Sequence, residues 1–299
     1  MDWTSSYHYL GEFFAISNAI LWAFVVILFK ISGNKFSPIA LNLFKITIGF
    51  ILLAITSVIL RQPIFPQIDS HIYLLMAISG ILGIGIADTL FFQCLNLLGA
   101  SRSAIVECLY SPFIILFSFI FLNERLTLGN AVGAILVISS LLFISGEKRI
   151  DPLPKKDLLH GALAGAISMA AMGFGIVIIK PMLSELSVVW VAMIRMLFGA
   201  GSLAIFSLVQ SDRKQTWKIF IPQPAWKITL PACILASYGT MLLWVGSFKF
   251  ASANVAGILT QMSVVFTVIF AYIFLKEPLT KKKVLSVILA LLGSFLVVS

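Results

Sequence analysis

Charged residues are scarce in this sequence of 299 residues. Asp, Glu, Lys and Arg make up 11% of it, whereas a typical soluble domain has about 25%. Hydrophobic residues reach 60%, and the mean hydropathy is +1.05. A water-soluble globule of this size cannot bury so much apolar surface, because its core does not grow fast enough with chain length. The composition therefore excludes a soluble enzyme, a nucleic-acid-binding protein and a disordered chain, and it predicts an integral membrane protein.

Cysteine is also rare, and the motifs of several enzyme classes are missing. Cys94, Cys108 and Cys233 lie far apart within apolar runs, so we expect no disulfide framework and no zinc site. The sequence has no GxxxxGKS/T loop, no HExxH pair and no GxSxG turn, which argues against ATP drive, metal catalysis and a serine nucleophile. We therefore expect no enzyme activity, no cofactor, no metal and no nucleic-acid partner.

Long apolar runs are what the sequence has in abundance. A membrane-spanning helix needs about 20 mostly apolar residues. Runs of this kind lie at residues 11–31, 38–60, 71–97, 100–122, 127–145, 158–180, 187–210, 226–249, 252–275 and 280–298. Their length excludes membrane-spanning strands, which are about 9–11 residues long. We expect an all-α, multi-pass membrane protein with ten transmembrane helices. The first ten residues contain no Lys or Arg, so we expect no cleaved signal peptide.

The two halves of the sequence resemble each other. With an offset of 150 residues, Lys45 matches Arg195, and each lies some eight residues into its span. With an offset of 153 residues, LNERLT at 122–127 matches LKEPLT at 275–280. Matched charges at a nearly constant offset are not expected by chance, so we interpret the pattern as an internal duplication.

Each half of this duplication contains an odd number of spans. The second half must then cross the membrane in the opposite direction to the first. Inverted repeats of this kind are typical of secondary transporters, whose substrate site lies near the midplane where the halves meet. We therefore predict two five-helix repeats, at residues 1–147 and 158–299, and transport of a small-molecule substrate. One chain supplies both halves of the pathway, so a monomer suffices, and the oligomeric state stays open.

Several motifs resemble the EamA branch of the drug/metabolite transporter superfamily. They are the buried basic residue in the second span of each half and the LxExLT motif, with Glu124 and Glu277, at the end of each fourth span. The segment GASRSA at 99–104 and the following Pro112 are also similar to the family, whereas Val265 stands where the second half would have the corresponding proline. The resemblance implies a secondary active transporter in the cell membrane, often an exporter, of small organic metabolites such as amino acids.

Positive charge and family resemblance point to opposite orientations. Most of the 21 Lys and Arg flank the turns that follow odd-numbered spans, on the side opposite to the termini. The positive-inside rule therefore favours both termini outside the cell. The resemblance favours both termini inside.

Four ionisable residues, Lys45, Asp88, Glu107 and Arg195, lie within predicted spans. Such groups are costly at membrane depth and are functional candidates by default. Lys45, Asp88 and Glu107 lie about eight to ten residues from one surface, or about 12–15 Å deep at about 1.5 Å per residue. We predict that Asp88 or Glu107 takes up a proton or binds a cationic part of the substrate. A static ion-pair network is the alternative. Arg195 faces either a substrate carboxylate or backbone carbonyls.

Aromatic and polar side chains at similar depth complete the predicted site. A cavity with aromatic walls and a few polar groups suits a small organic molecule. The further candidates are Asn18, Trp22, Phe91, Tyr110, Tyr238, Trp244 and Gln261. The alternative for each aromatic residue is that its side chain faces lipid.

Two other functions are alternatives, although the sequence favours them less. A flippase of a lipid or lipid-linked sugar would have a cavity open sideways to the bilayer, with Lys45 or Arg195 near a headgroup. An intramembrane enzyme would need a catalytic set at one depth, and only Asp88 and Glu107 come close to that.

Overall fold

Helices dominate the structure of the protein, which is a computed structural model that describes residues 9–122, 128–145, 154–210, 213–251, 256 and 259–298. No strand occurs in these ranges. The α-helices, numbered in chain order, are α1 (Leu10–Ser32), α2 (Pro38–Ile59), α3 (Ser70–Gly80), α4 (Ala87–Leu98), α5 (Ala100–Glu107), α6 (Tyr110–Leu122), α7 (Leu128–Ser145), α8 (Lys155–Val177), α9 (Val188–Val209), α10 (Arg213–Trp217), α11 (Trp226–Ile234), α12 (Met241–Phe250), α13 (Ser263–Leu275) and α14 (Lys281–Val298). The π-helical segment Ile81–Ile86 joins α3 to α4, and Leu235–Thr240 joins α11 to α12. Glu124 lies outside the described residues.

Among the described residues, seven helical segments are long and apolar enough to cross a membrane. They are Leu10–Ser32, Pro38–Ile59, Ser70–Leu98, Ala100–Leu122, Lys155–Met182, Val188–Val209 and Trp226–Phe250. Each coincides with one of the predicted spans. Shorter apolar stretches of helix occupy Ala131–Ser140 and Leu259–Leu275, and α14 begins with three lysines. The structure thus confirms an all-α fold in the described ranges, where seven helices qualify as membrane spans by length and composition. The arrangement of ten spans in two repeats stays a prediction.

Local sequence explains where several helices begin. Ser37 precedes α2 and accepts a hydrogen bond on its Oγ from the Ala40 N–H at 3.3 Å, with Pro38 in the first turn. Asp69 caps α3 by accepting the His71 N–H at 2.9 Å. Both are N-cap side chains that satisfy otherwise orphaned backbone donors. Gly99 separates α4 from α5 with a φ of 85°, a conformation that glycine adopts without steric penalty.

Contacts between the helices link early and late parts of the chain. Extensive contacts join α2 to α9 and α7 to α14. Helix α1 packs on α12 and α13, and α8 packs on α4 and α6. Small residues permit the closest of these contacts, as expected where helices pack within a bilayer. A Cβ atom on Gly199 of α9, for example, would lie 3.0 Å from the carbonyl oxygen of Gly80.

Candidate functional site

A cavity of about 120 Å³ lies where helices from both halves of the sequence meet. One water molecule needs about 10–15 Å³ on this scale, so the cavity has room for a small organic molecule. Its walls are mostly apolar, with a few charged and polar groups. The lining residues are Asn18, Trp22, Lys45, Gly83, Ile84, Asp88, Glu107, Tyr110, Met169, Met172, Arg195, Met196, Ala236, Ser237, Thr240, Met241, Trp244, Thr260, Gln261 and Ser263. All but two of the predicted site residues are among them.

Lys45 and Asp88 form an ion pair in the cavity wall. Helix α2 supplies the lysine and α4 the aspartate, and the Lys45 Nζ donates to the Asp88 Oδ2. Both side chains are buried, and the Lys45 Nζ also lies 5.3 Å from the centroid of the Phe92 ring. Each charge offsets the burial cost of the other, which neither could bear alone.

Glu107 lies at the C-terminal end of α5 and faces the same cavity. Its Oε1 accepts a hydrogen bond of 2.8 Å from the Trp22 indole N–H. Its Oε2 is buried and has no hydrogen-bond partner among the described residues. Within the described part of the chain Glu107 also has no ion pair with a cation. Lys45, Asp88 and Glu107 therefore line one cavity, but only two of the three compensate each other.

Arg195 reaches the cavity from α9 and is 1% exposed. Its Nε and Nη1 atoms are buried without a hydrogen-bond partner in the ranges described. The guanidinium carbon lies 5.6 Å from the centroid of the Trp244 ring, within the range of a cation–π contact. A Cβ atom on Gly83 would lie 3.2 Å from Nη2, so glycine leaves room for the guanidinium. Buried donors without acceptors are costly, at about 1–3 kcal/mol each, and this arrangement favours an anionic ligand group.

Both π-helical segments contribute residues to the cavity wall. Gly83 and Ile84 come from Ile81–Ile86, and Ala236, Ser237 and Thr240 come from Leu235–Thr240. A π-turn widens the helix and redirects its backbone and side chains, and such turns often occur at functional sites.

Asn42 and Pro231 show how the sequence supports these widened turns. The Asn42 side-chain amide donates to the carbonyls of Ile84 at 2.8 Å and Gly85 at 3.0 Å. It thereby partners backbone groups next to the cavity, where unpaired ones would be costly. Pro231 lies within α11, shortly before the second segment, and it removes one backbone donor from the helical ladder.

The remaining predicted residues divide into two groups. Asn18, Tyr110 and Gln261 line the cavity, and Gln261 donates to the Ser111 Oγ at 2.9 Å. The Asn18 Oδ1 and the Tyr110 hydroxyl are buried and have no hydrogen-bond partner among the described residues. The other group, Phe91 and Tyr238, lies outside the lining.

Phe91 and Tyr238 instead support their neighbours. The Phe91 ring is buried, with its centroid 5.7 Å from that of Trp22, so it positions a lining residue. The Tyr238 hydroxyl pairs with the Thr56 Oγ1 at 2.9 Å, which joins a π-helical segment to α2.

The lining also contains residues that the sequence alone did not single out. Four methionines, Met169, Met172, Met196 and Met241, form a flexible part of the wall. Methionine is a common filler of hydrophobic interiors, so no single one of them carried a signal. The offset of 153 residues is a signal that could have found two lining residues, because it pairs Met241 with Asp88 and Thr260 with Glu107.

Comparison with known proteins gives a consistent result. The model of the EamA-like transporter family matches residues 9–146 and 159–299. An uncharacterized transporter of Bacillus subtilis (strain 168), YoaV, is 19% identical over 282 residues, which are 94% of each chain. An uncharacterized transporter of Methanothermobacter thermautotrophicus is 20% identical over 297 residues, which are 96% of this chain and 85% of that one. A solved crystal structure shares the fold with a TM-score of 0.68 at 17% identity, over 98% of this chain and 96% of its own.

These similarities extend over the whole chain and agree with the apolar helices. They indicate a transporter and a multi-pass integral protein of the cell membrane. The resemblance noted in the sequence is confirmed: the chain belongs to the EamA-like transporter family.

Proposed function

We propose that the protein is a secondary active transporter that exports small organic metabolites, amino acids among them, by alternating access. The alternation takes place between two inverted five-helix repeats, residues 1–147 and 158–299. The helix contacts support this arrangement, since α1 meets α12 and α13 much as α8 meets α4 and α6. The family model also matches the chain in two stretches, 9–146 and 159–299.

The observation that carries the proposal is the pair of unsatisfied opposite charges in one cavity. Among the described residues, Arg195 has buried donors without acceptors and Glu107 has a buried oxygen without a donor. A zwitterion supplies both missing partners, because its carboxylate accepts from a guanidinium and its ammonium donates to a carboxylate. Trp22 and Trp244 add aromatic surface for an apolar side chain. An amino acid fits this combination of charge and apolar wall.

Glu107 is also the group that we propose for proton coupling. Lys45 neutralises the charge of Asp88, so the cost of burying Asp88 stays nearly the same when the substrate leaves. Glu107 has no such cation among the described residues, and an unpaired carboxylate buried in the cavity wall is costly. A proton and the substrate ammonium therefore compete for the same carboxylate, which couples their movements in opposite directions.

Transport by purified protein in liposomes tests the function. Vesicles are loaded with single amino acids, sugars or nucleosides, and exchange with labelled solute is measured with and without a pH gradient. We expect exchange of at least one amino acid, its loss in Arg195→Met, and loss of the pH dependence in Glu107→Gln. Arg213→Gln, at an exposed arginine of α10, is the matched control and should transport normally.

Two outcomes would contradict this function. Normal exchange by Arg195→Met would show that the guanidinium does not hold the substrate. A failure of every soluble solute, together with movement of labelled lipid between leaflets, would favour a flippase on the same scaffold.

A further inference from the structure

The turn between α4 and α5 is held by hydrogen bonds and a charge from a distant part of the chain. Helix α5 begins directly after Gly99, and its first residues, Ala100 and Ser101, are buried. A helix start at a membrane surface normally leaves its backbone N–H groups to water or to a cap. Here the cap comes from a distant part of the chain, the loop between α13 and α14.

Glu277 supplies that cap. Its Oε1 accepts the Ala100 N–H at 2.9 Å, and its Oε2 accepts the Ser101 hydroxyl at 2.5 Å and the Ser101 N–H at 3.3 Å. Lys283 lies 3.5 Å from the same carboxylate. The left-handed backbone of Lys276, with a φ of 54°, turns the chain at the end of α13 immediately before Glu277. These contacts are charge-assisted, and the partial positive charge of the helix N-terminus strengthens them.

Gly99 is required by the same contact. Its φ of 85° reverses the chain between the two helices. A Cβ atom at this position would lie 2.9 Å from the Glu277 Oε1, so any larger residue would push the carboxylate away.

The capped turn and the cavity are connected by α5. Ser101 and Glu107 lie on the same helix, six residues apart, which is about 9 Å along its axis. The same turn also packs against α8, where a Cβ atom on Gly161 would lie 2.7 Å from the Leu98 side chain. The turn thus contacts two elements of the second half of the sequence, α8 and the α13–α14 loop.

A second set of contacts ties the turn to α1, in the same half of the sequence. The Lys30 Nζ donates to the carbonyls of Leu95 at 3.1 Å and Asn96 at 2.9 Å. Because Lys30 belongs to α1, these bonds can persist if the first half moves as a unit. The bonds to Glu277 cannot persist in such a movement, since they join residues 176 or more positions apart in different halves.

We propose that Glu277 is a latch that holds the α4–α5 turn against the α13–α14 loop and closes the cavity at that end. Its role in transport depends on the function proposed above, but the latch itself is a contact that requires no substrate. Opening at this end requires that the Ala100 and Ser101 donors leave the carboxylate together. The energy of the latch therefore sets how often this end of the cavity is open.

A native cysteine reports on the latch. The Cys94 Sγ of α4 is buried and lies 3.5 Å from the Ser103 Oγ of α5, where the two helices pack beside the turn. Buried Cys233 lies in α11, away from the turn. We would label the full chain in lipid nanodiscs with a maleimide and follow each cysteine by mass spectrometry. The variants are Glu277→Gln and Ser101→Ala, and the control is Glu185→Gln, which removes an exposed carboxylate.

The expected result is selective exposure. Labelling of Cys94 should rise about tenfold in Glu277→Gln, should rise less in Ser101→Ala, and should not change in Glu185→Gln. Labelling of Cys233 should remain at the rate of the unmodified protein. Equal increases at Cys94 and Cys233 would indicate general loosening and would overturn the latch. So would an unchanged Cys94 rate in both variants. Neither result depends on whether the substrate class is correct.

Discussion

At the scale of single residues, the ion pair of Lys45 and Asp88 shows how the interior accommodates charge. The two groups come from different helices and are buried together. Removing one partner of a buried pair leaves the other uncompensated, which typically costs about 3–5 kcal/mol, whereas replacing both with apolar groups is often nearly neutral. The pair therefore adds little net stability to the fold, but neither residue can be replaced alone without a large loss of stability.

We expect this asymmetry in the stability of variants. Lys45→Met should lower the free energy of unfolding by about 3–5 kcal/mol, and adding Asp88→Leu should recover most of the loss. Tryptophan fluorescence during unfolding in detergent measures both, with the exposed Lys35→Met as the control. A double variant as unstable as the single one would show that the two charges do not compensate each other.

Substitution of Arg195 should weaken substrate binding without lowering the stability of the protein. Its Nε and Nη1 lack acceptors among the described residues, so Arg195→Met removes buried donors that cost about 1–3 kcal/mol each. We expect an unchanged or higher thermal midpoint, with the dissociation constant of the transported amino acid raised roughly ten- to hundredfold. Thermal unfolding with and without the amino acid measures both. A strongly lowered midpoint in its absence would instead assign Arg195 a structural role.

At the scale of elements, α9 depends on close contact with the segment around Ile81–Ile86. Gly199 lies against the Gly80 carbonyl oxygen, which belongs to the backbone and cannot easily move. Gly201 lies two residues further along α9, and a Cβ atom there would meet nothing within 4 Å. The two glycines are therefore a matched pair on one helix.

This pair gives a direct test of the packing. Gly199→Ala should destabilise the protein by about 1–3 kcal/mol, because the added methyl group overpacks the interface. Gly201→Ala should be neutral or stabilising by up to about 1 kcal/mol, because alanine favours helix over glycine. Unfolding midpoints in detergent measure the difference. Equal shifts would mean that α9 does not pack on Gly80 as closely as described.

At the scale of the whole molecule, Glu277 joins the two halves of the sequence at the end of the cavity. Burial by itself raises the pKa of Glu277, but the hydrogen bond from Ser101, the charge of Lys283 and the Ala100 and Ser101 N–H groups outweigh it. The net pKa lies below the ordinary value of 4.5. A carboxyl group with a lowered pKa stabilises the folded state above its unfolded pKa, and this contribution is lost as the pH falls through the folded value.

The stability of the latch should therefore depend on pH. The thermal midpoint of the unmodified protein should exceed that of Glu277→Gln at pH 7, and the difference should shrink as the pH falls below 4.5. The comparison of the two proteins in one pH series cancels the other titrating groups. A difference that is constant down to low pH would mean that the charge of Glu277 does not contribute.

The sequence by itself determined the class of protein. The lengths of the apolar runs depend only on the bilayer thickness, so the helices could be placed without knowledge of their neighbours. The prediction of an internal duplication rested only on matched residues such as Lys45 and Arg195. The same reasoning found the buried ionisable residues, because charge in an apolar run is conspicuous wherever the helix ends up.

The tertiary structure decided what these residues do with one another. Depth along a helix follows from residue number, but the direction in which a side chain points depends on the rotation and packing of that helix. This is why Trp22 and Trp244 line the cavity while Phe91 and Tyr238 support it from behind. Partners far apart in the chain, such as Glu277 and Ser101, meet only because the helices pack together. The sequence showed the motif that contains Glu277, and only the fold brought its carboxylate onto the start of α5.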